Sequence, residues 1–165
     1  MAMRFHYRFL QLHWTAIERG ELARVTKTIS EDLRAFIGAY VFEELCREWV
    51  SVAAEQGRLD FLPEQVGAFW SGQRGRAVQL DIVAASRRDQ HLLIGEARWG
   101  DQLVPHAVLV DLIQRSQLMP QVESGWRTDY VLFSRGGVTD ATLAQEQDVR
   151  WVDLEELEQA LIQAA

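Results

Sequence analysis

Apolar and polar positions change period several times along the chain, and each change marks a new element. Residues 78–84 and 91–99 are two apolar runs separated by Ser86-Arg87-Arg88-Asp89-Gln90, the pattern of two antiparallel strands joined by a charged turn. In the second run, alternation puts Leu92, Ile94, Glu96 and Arg98 on one face and Leu93, Gly95, Ala97 and Trp99 on the other. Glu96 and Arg98 therefore point the same way from the end of an aliphatic face, where a charge is costly unless it is solvated, paired or bound to a metal. Residues 66–70 form a short strand candidate that pairs with the strand at 78. The turn between them, Ser71-Gly72-Gln73-Arg74-Gly75-Arg76, has two glycines and two arginines and predicts a mobile hairpin loop.

Helical periods flank these strands. Residues 4–18 alternate aromatic and polar side chains and stop at Arg19-Gly20, an arm with enough apolar surface to need a cover, either the next helix or a second copy of the chain. Ser30, followed by Glu31 and Asp32, predicts an N-cap and a helix from there to residues 55–56, with Gly57 as its C-cap. At about 100° per residue, Glu44, Arg47 and Glu48 form its polar arc, and Glu43 sits at the edge of that arc beside Ala39, Cys46 and Val50. Glu43 thus borders the buried face, although its spacing also suits an ordinary i,i+4 ion pair with Arg47 worth a few tenths of a kcal/mol. After Gly100, Pro105 opens a predicted helix over 105–119. A strand at 128–134 stopped by Gly136-Gly137, a helical stretch at 140–146, a strand at 149–152 and a helix at 153–163 capped by Asp153 follow. The order predicts an α/β domain with a mixed sheet, preceded by a helical arm over 1–28, with the main domain over 29–165.

Composition narrows the class. The chain has 165 residues, 48% hydrophobic and 25% charged, enough for one core and too short for a second full domain. Cys46 is the single cysteine, so no intramolecular disulfide forms, and no apolar run approaches the roughly 20 residues of a membrane span. A cytoplasmic protein without membrane contact is the expectation. The net charge of −7 argues against nucleic-acid binding through an overall positive field. Arg74, Arg76, Arg87, Arg88, Arg98 and Arg115 nevertheless concentrate in the half that carries Asp81 and Glu96, either as local nucleic-acid contacts or as a solvated surface. The four histidines have no metal-ligand spacing, and the six tryptophans are expected to be core and interface mass. No GxxxxGK[ST] loop is present, so ATP hydrolysis by that route is not expected.

With Asp81 on one predicted strand and Glu96-Ala97-Arg98 on the next, the chain resembles the PD-(D/E)xK nuclease superfamily. More narrowly, LDIVA, LLIGEARWG and the preceding FIGAYVFEELCREWV resemble the nuclease-like C-terminal domain of archaeal-type AAA ATPases, over residues 5–133 and without the ATPase part. The resemblance implies a restriction-endonuclease-like mixed β-sheet flanked by helices and metal-dependent phosphodiester hydrolysis on nucleic acid. It also implies Asp81 and Glu96 as ligands of Mg²⁺ or Mn²⁺ together with the Ala97 carbonyl, Glu43 acting through water, and DNA rather than RNA as partner. Arg98 stands where the family has Lys. A guanidinium stays protonated, so it stabilises charge but accepts no proton. Arg74, Arg76 and Arg115 are the expected nucleic-acid contacts, Arg115 either facing the site or facing solvent. The alternative is an inactive nuclease-fold module that binds nucleic acid or a protein, through association with an AAA ATPase or self-association of the arm.

Overall fold

The computed structural model describes residues 11–36, 38, 41–73, 76–139 and 149–164, the burial of some of these apart, in two compact units that divide between Val41 and Phe42. In the first unit a 3₁₀ turn, Gln11–His13, leads into α1 (Trp14–Glu18), and α2 spans Leu22–Phe36. The predicted stop after α1 is present, with Gly20 at φ 75°, a left-handed conformation that glycine adopts without a Cβ clash. Ser30 is not an N-cap. It lies inside α2, and its hydroxyl donates to the Thr26 carbonyl at 2.8 Å, the i−4 bond by which a mid-helix serine satisfies itself. Of the helix expected over 30–56 the structure describes α2 and α3 (Phe42–Glu55), with Gly38 and Val41 in π-helical turns and residues 37, 39 and 40 outside what is described. Phe5, Tyr7, Phe9 and Leu10 of the arm, Arg74, the side chain of Arg76 and the helical stretch expected at 140–146 lie outside what is described.

The second unit starts with α3, which ends as its sequence predicts. Gly57 at φ 69° lets its own amide reach the Ala54 carbonyl (3.0 Å) and the Arg58 amide reach that of Ala53 (2.8 Å). Then come β1 (Gln65–Gln73), β2 (Arg76–Ser86), β3 (His91–Arg98), α4 (His106–Ser116), the short α5 (Pro120–Glu123), β4 (Arg127–Ser134), β5 (Val149–Asp153) and α6 (Leu154–Ala164). The strands form one mixed sheet in chain order, antiparallel from β1 to β3 and parallel from β3 to β5. Asp153 caps α6 by accepting from the Glu156 amide at 2.7 Å.

Alternation along β3 and β4 sends apolar side chains to both faces, so the sheet is covered on both. On one face Phe42, Cys46, Trp49, Val50 and Ala53 of α3 and Leu157 and Ala160 of α6 pack with Ile82, Ala84, Leu93, Val131 and Phe133. On the other, Leu109 and Leu112 of α4 and Met119 pack with Val78, Leu80, Leu92, Ile94 and Leu132. At the start of β3 the register is held by buried His91, which stacks on Phe61 with ring centroids 4.1 Å apart and places Nε2 2.7 Å from Asp129 Oδ2.

One irregularity positions everything that follows. The β1–β2 register passes from Gly67↔Val83 to Phe69↔Leu80, so β2 uses one more residue than β1 at Asp81-Ile82. This is a β-bulge, and it inverts the alternation of β2. Val78 and Leu80 face the α4 layer, whereas Ile82 and Ala84 face the α3 layer. The β2–β3 ladder also ends here, at Ile82↔Gly95. Beyond that pair β3 continues to Arg98 beside β4, β2 runs back to Arg76 beside β1, and the two strands part.

Gly95, at the last rung, has no room for a side chain. A Cβ there would lie 2.8 Å from Val131 Cγ1 and 3.1 Å from Ile82 Cβ. Gly95→Val should therefore destabilise the fold by about 1–3 kcal/mol or more, as overpacking of a rigid core does, and a urea unfolding midpoint lowered at unchanged slope checks this.

Candidate functional site

Where β2 and β3 separate, charged side chains from four elements converge: Glu43 and Arg47 from α3, Asp81 from β2, Glu96 and Arg98 from β3, and Arg115 from α4. The parting of the strands leaves the Ala97 amide without a β2 carbonyl to bond. The Asp81 side chain takes that place, its Oδ2 accepting from Ala97 N–H at 3.2 Å. Asp81 is thus carried to the edge of β3 rather than left on one face of a regular ladder. Its carbonyl accepts from Arg47 Nη1 at 2.8 Å, and the same nitrogen lies 3.6 Å from Glu43 Oε2. Arg47 therefore does more than form a local i,i+4 pair, since it ties α3 to the bulge.

Glu96 is 6% exposed and has both carboxylate oxygens engaged. Arg98 Nη2 is 2.7 Å from Oε1, and Arg115 Nη2 donates to Oε2 at 2.8 Å. Arg115 is itself held by Asp111 through Nε at 2.8 Å and by the Gln79 carbonyl of β2. The expectation left two orientations for Arg115; it faces the site. Arg98 is about half exposed, so it can swing toward solvent or a ligand, while Arg115 is fixed between α4 and both strands. Sequence reasoning placed Glu43, Asp81, Glu96 and Arg98 together but gave Arg47 only its i,i+4 pair with Glu43, and Asp111 no role. The only signal for either was i,i+4 spacing, which surface pairs share.

The electrostatics follow from crowding. Burial pushes the Glu96 carboxyl above the ordinary carboxylate range; its bond to Arg115 opposes the rise, Asp81 adds to it, and Arg98 opposes it too. Glu43 is raised as well, by partial burial and then by Asp81, against the pull of Arg47. A folded carboxyl that holds its proton more tightly than the unfolded one contributes stability that is fully present below its ordinary value of 4.5 and is lost as pH rises through the folded value. Around the split, three carboxylates, Glu43, Asp81 and Glu96, face three guanidiniums, Arg47, Arg98 and Arg115.

Among the described residues no group of three or more His, Cys, Asp or Glu is disposed to hold a metal ion. A magnesium ion does not need such a cage, since it binds through one or two carboxylates and keeps waters or substrate phosphates as its other ligands. The hard oxygens of Asp81 and Glu96, whose mutual repulsion a cation would relieve, fit that chemistry. Seating an ion there requires Glu96 to release at least one arginine.

The fold and site thus define a mixed α/β domain with an acid and guanidinium cluster at a strand split. The chain belongs to the DUF234 family, described as archaeal and bacterial proteins of unknown function, whose model matches residues 6–113. The match takes in Glu43, Asp81, Glu96 and Arg98 and ends in α4 just before Arg115. No curated protein and no solved structure matches the chain. Among the described residues no helix is long and apolar enough to cross a membrane.

The interlocking of Glu96 with Arg115 has a measurable consequence. Arg115→Ala should raise the Glu96 pKa further in a ¹³C-carboxyl NMR titration. It should also lower stability at neutral pH by about 2–3 kcal/mol, less than the full cost of stripping a buried pair because Arg98 still holds Oε1. An unchanged titration midpoint would mean that Arg115 does not hold Glu96 in solution.

Proposed function

We propose that this domain is a nuclease-type module that binds nucleic acid at the β2–β3 split and hydrolyses its phosphodiester bonds with Mg²⁺ or Mn²⁺. The observation that supports this most is that the end of the ladder at Ile82↔Gly95 gathers Asp81, Glu96 and Arg98 from two strands, with Glu43 arriving from α3. This convergence supports the reading that the resemblance to PD-(D/E)xK nucleases implies. When bound, the divalent ion supplies charge stabilisation at phosphorus, a deprotonated water and neutralisation of the leaving oxygen. Asp81 and Glu96 would hold the ion. Glu43, with its raised pKa, orients solvent at the edge of the cluster. Arg98, half exposed, would turn to the phosphate, where it would offer two donors to two oxygens. It does not take the proton from water, because a guanidinium is already protonated at any physiological pH. Arg115 is too firmly held to leave, so it stays as the fixed positive charge behind Glu96.

A second reading is supported by the double engagement of Glu96. With both oxygens bonded to arginine and Arg98 in place of Lys, the cluster is also consistent with a non-catalytic module of the same fold that binds nucleic acid or an AAA ATPase partner. Cleavage assays on plasmid and oligonucleotide substrates separate the two. The hydrolytic reading expects metal-dependent cleavage by the unaltered protein, a loss of about 100-fold or more in Asp81→Ala, and faster cleavage by Arg98→Lys, whose ammonium is compact and shifts its pKa readily. If all three proteins are inert with either metal, hydrolysis is excluded and the non-catalytic module stands.

A further inference from the structure

The hairpin that leaves the sheet at the split carries an exposed tryptophan. Trp70 pairs with Gln79 across the β1–β2 ladder, two residues from Asp81, and is 76% exposed. Its neighbours in the ladder, Phe69 and Leu80, turn to the α4 layer, so alternation sends the indole to the opposite side of the hairpin. Gly72 lies two residues further along the same strand, and the ring leans over it: a Cβ at Gly72 would be 3.1 Å from Trp70 Cζ3 and within 3.8 Å of two more ring atoms. The glycine thus seats the six-membered ring against backbone and leaves its other surface open to solvent. An indole held in this way loses little conformational freedom when something flat lies on it.

We propose that Trp70 is a stacking platform for an unpaired nucleobase, so that the proposed phosphodiester site takes nucleic acid with single-stranded character. This rests on the function proposed above and specifies its substrate. Two observations favour a base over another flat apolar partner. Gln79, the ladder partner of Trp70, stands two residues from Asp81 on β2, a spacing that suits a base and its neighbouring phosphate. The hairpin also carries Arg74 and Arg76 in its sequence, opposite in charge to a phosphate backbone on a chain whose net charge is −7. A duplex keeps its bases stacked on one another and offers Trp70 no free face except at an end. A single strand, a flap or a junction does.

Binding is measured in EDTA, so that the result does not depend on cleavage, by anisotropy of a labelled oligothymidylate and of a blunt duplex of equal length. The unaltered protein should bind the single strand more tightly than the duplex. Trp70→Ala should weaken single-strand binding roughly 5- to 150-fold, the range for loss of one base–aromatic stack, with little change for the duplex. Trp70→Phe keeps a ring and should retain most of the affinity, while abolishing the tryptophan quenching that the single strand causes in the unaltered protein. The platform is overturned if Trp70→Ala binds the single strand as the unaltered protein does, whether or not its melting temperature falls, or if no oligonucleotide binds. Metal-dependent cleavage together with binding indifferent to Trp70 would sink the platform and leave hydrolysis. Trp70-dependent binding without cleavage would leave the platform and sink hydrolysis.

Discussion

A single extra residue in β2 decides what this molecule can do. Without the bulge at Asp81-Ile82 the β2–β3 ladder would continue past Gly95, the Ala97 amide would bond to β2 backbone, and Asp81 would point to one face of an unbroken sheet. The bulge inverts the alternation of β2, so that the same strand feeds both cores and the sheet opens at the point of inversion. Both helical layers reach that opening. Arg47 of α3 grips the Asp81 carbonyl, and Arg115 of α4 grips Gln79 on one side and Glu96 on the other. The tight packing of Val131 and Ile82 around Gly95 leaves no room for a side chain at the last rung.

Burying Glu96 is costly, and the structure offsets that cost with guanidinium contacts that hold both of its oxygens. The two arginines are unequal partners. Arg115 has other acceptors in Asp111 and Gln79, whereas Arg98 is half exposed and has Glu96 as its ion-pair partner. That asymmetry joins stability to function in the proposed account, since one guanidinium keeps the acid buried and the other is available to a phosphate. In the same account it lets a chain with net charge −7 present a local site for an anion.

Much of this was legible in the sequence because it depends on period. Alternation in β3 placed Glu96 and Arg98 on one face, helical angle placed Glu43 at the border of α3, and Gly57 and Asp153 announced the ends of their helices by chemistry that few other residues supply. The bulge was not legible, since the run from Val78 to Ala84 looks like one uninterrupted strand and the inversion is imposed by what lies on either side of it. Ser30 misled for the opposite reason. Serine followed by acids is a start signal only when the preceding residues are not helical, and residues 22–29 continue the amphipathic pattern without a break. The bond from Arg47 to the Asp81 carbonyl was missed because a bridge from helix to strand has no signature in spacing along one chain, and the Asp111–Arg115 pair within α4 looks like any i,i+4 surface pair. Trp70, counted with the other tryptophans as core mass, is exposed, whereas Trp49 is fully buried.

The claim on which the rest turns is that Asp81 and Glu96 share a divalent ion at the strand split. Anomalous diffraction from crystals soaked in Mn²⁺ tests it directly. The account predicts one peak between the two carboxylates, with Arg98 withdrawn from Glu96 and Arg115 still in place. Density that leaves both arginines on Glu96, with no anomalous peak at the split, would contradict it.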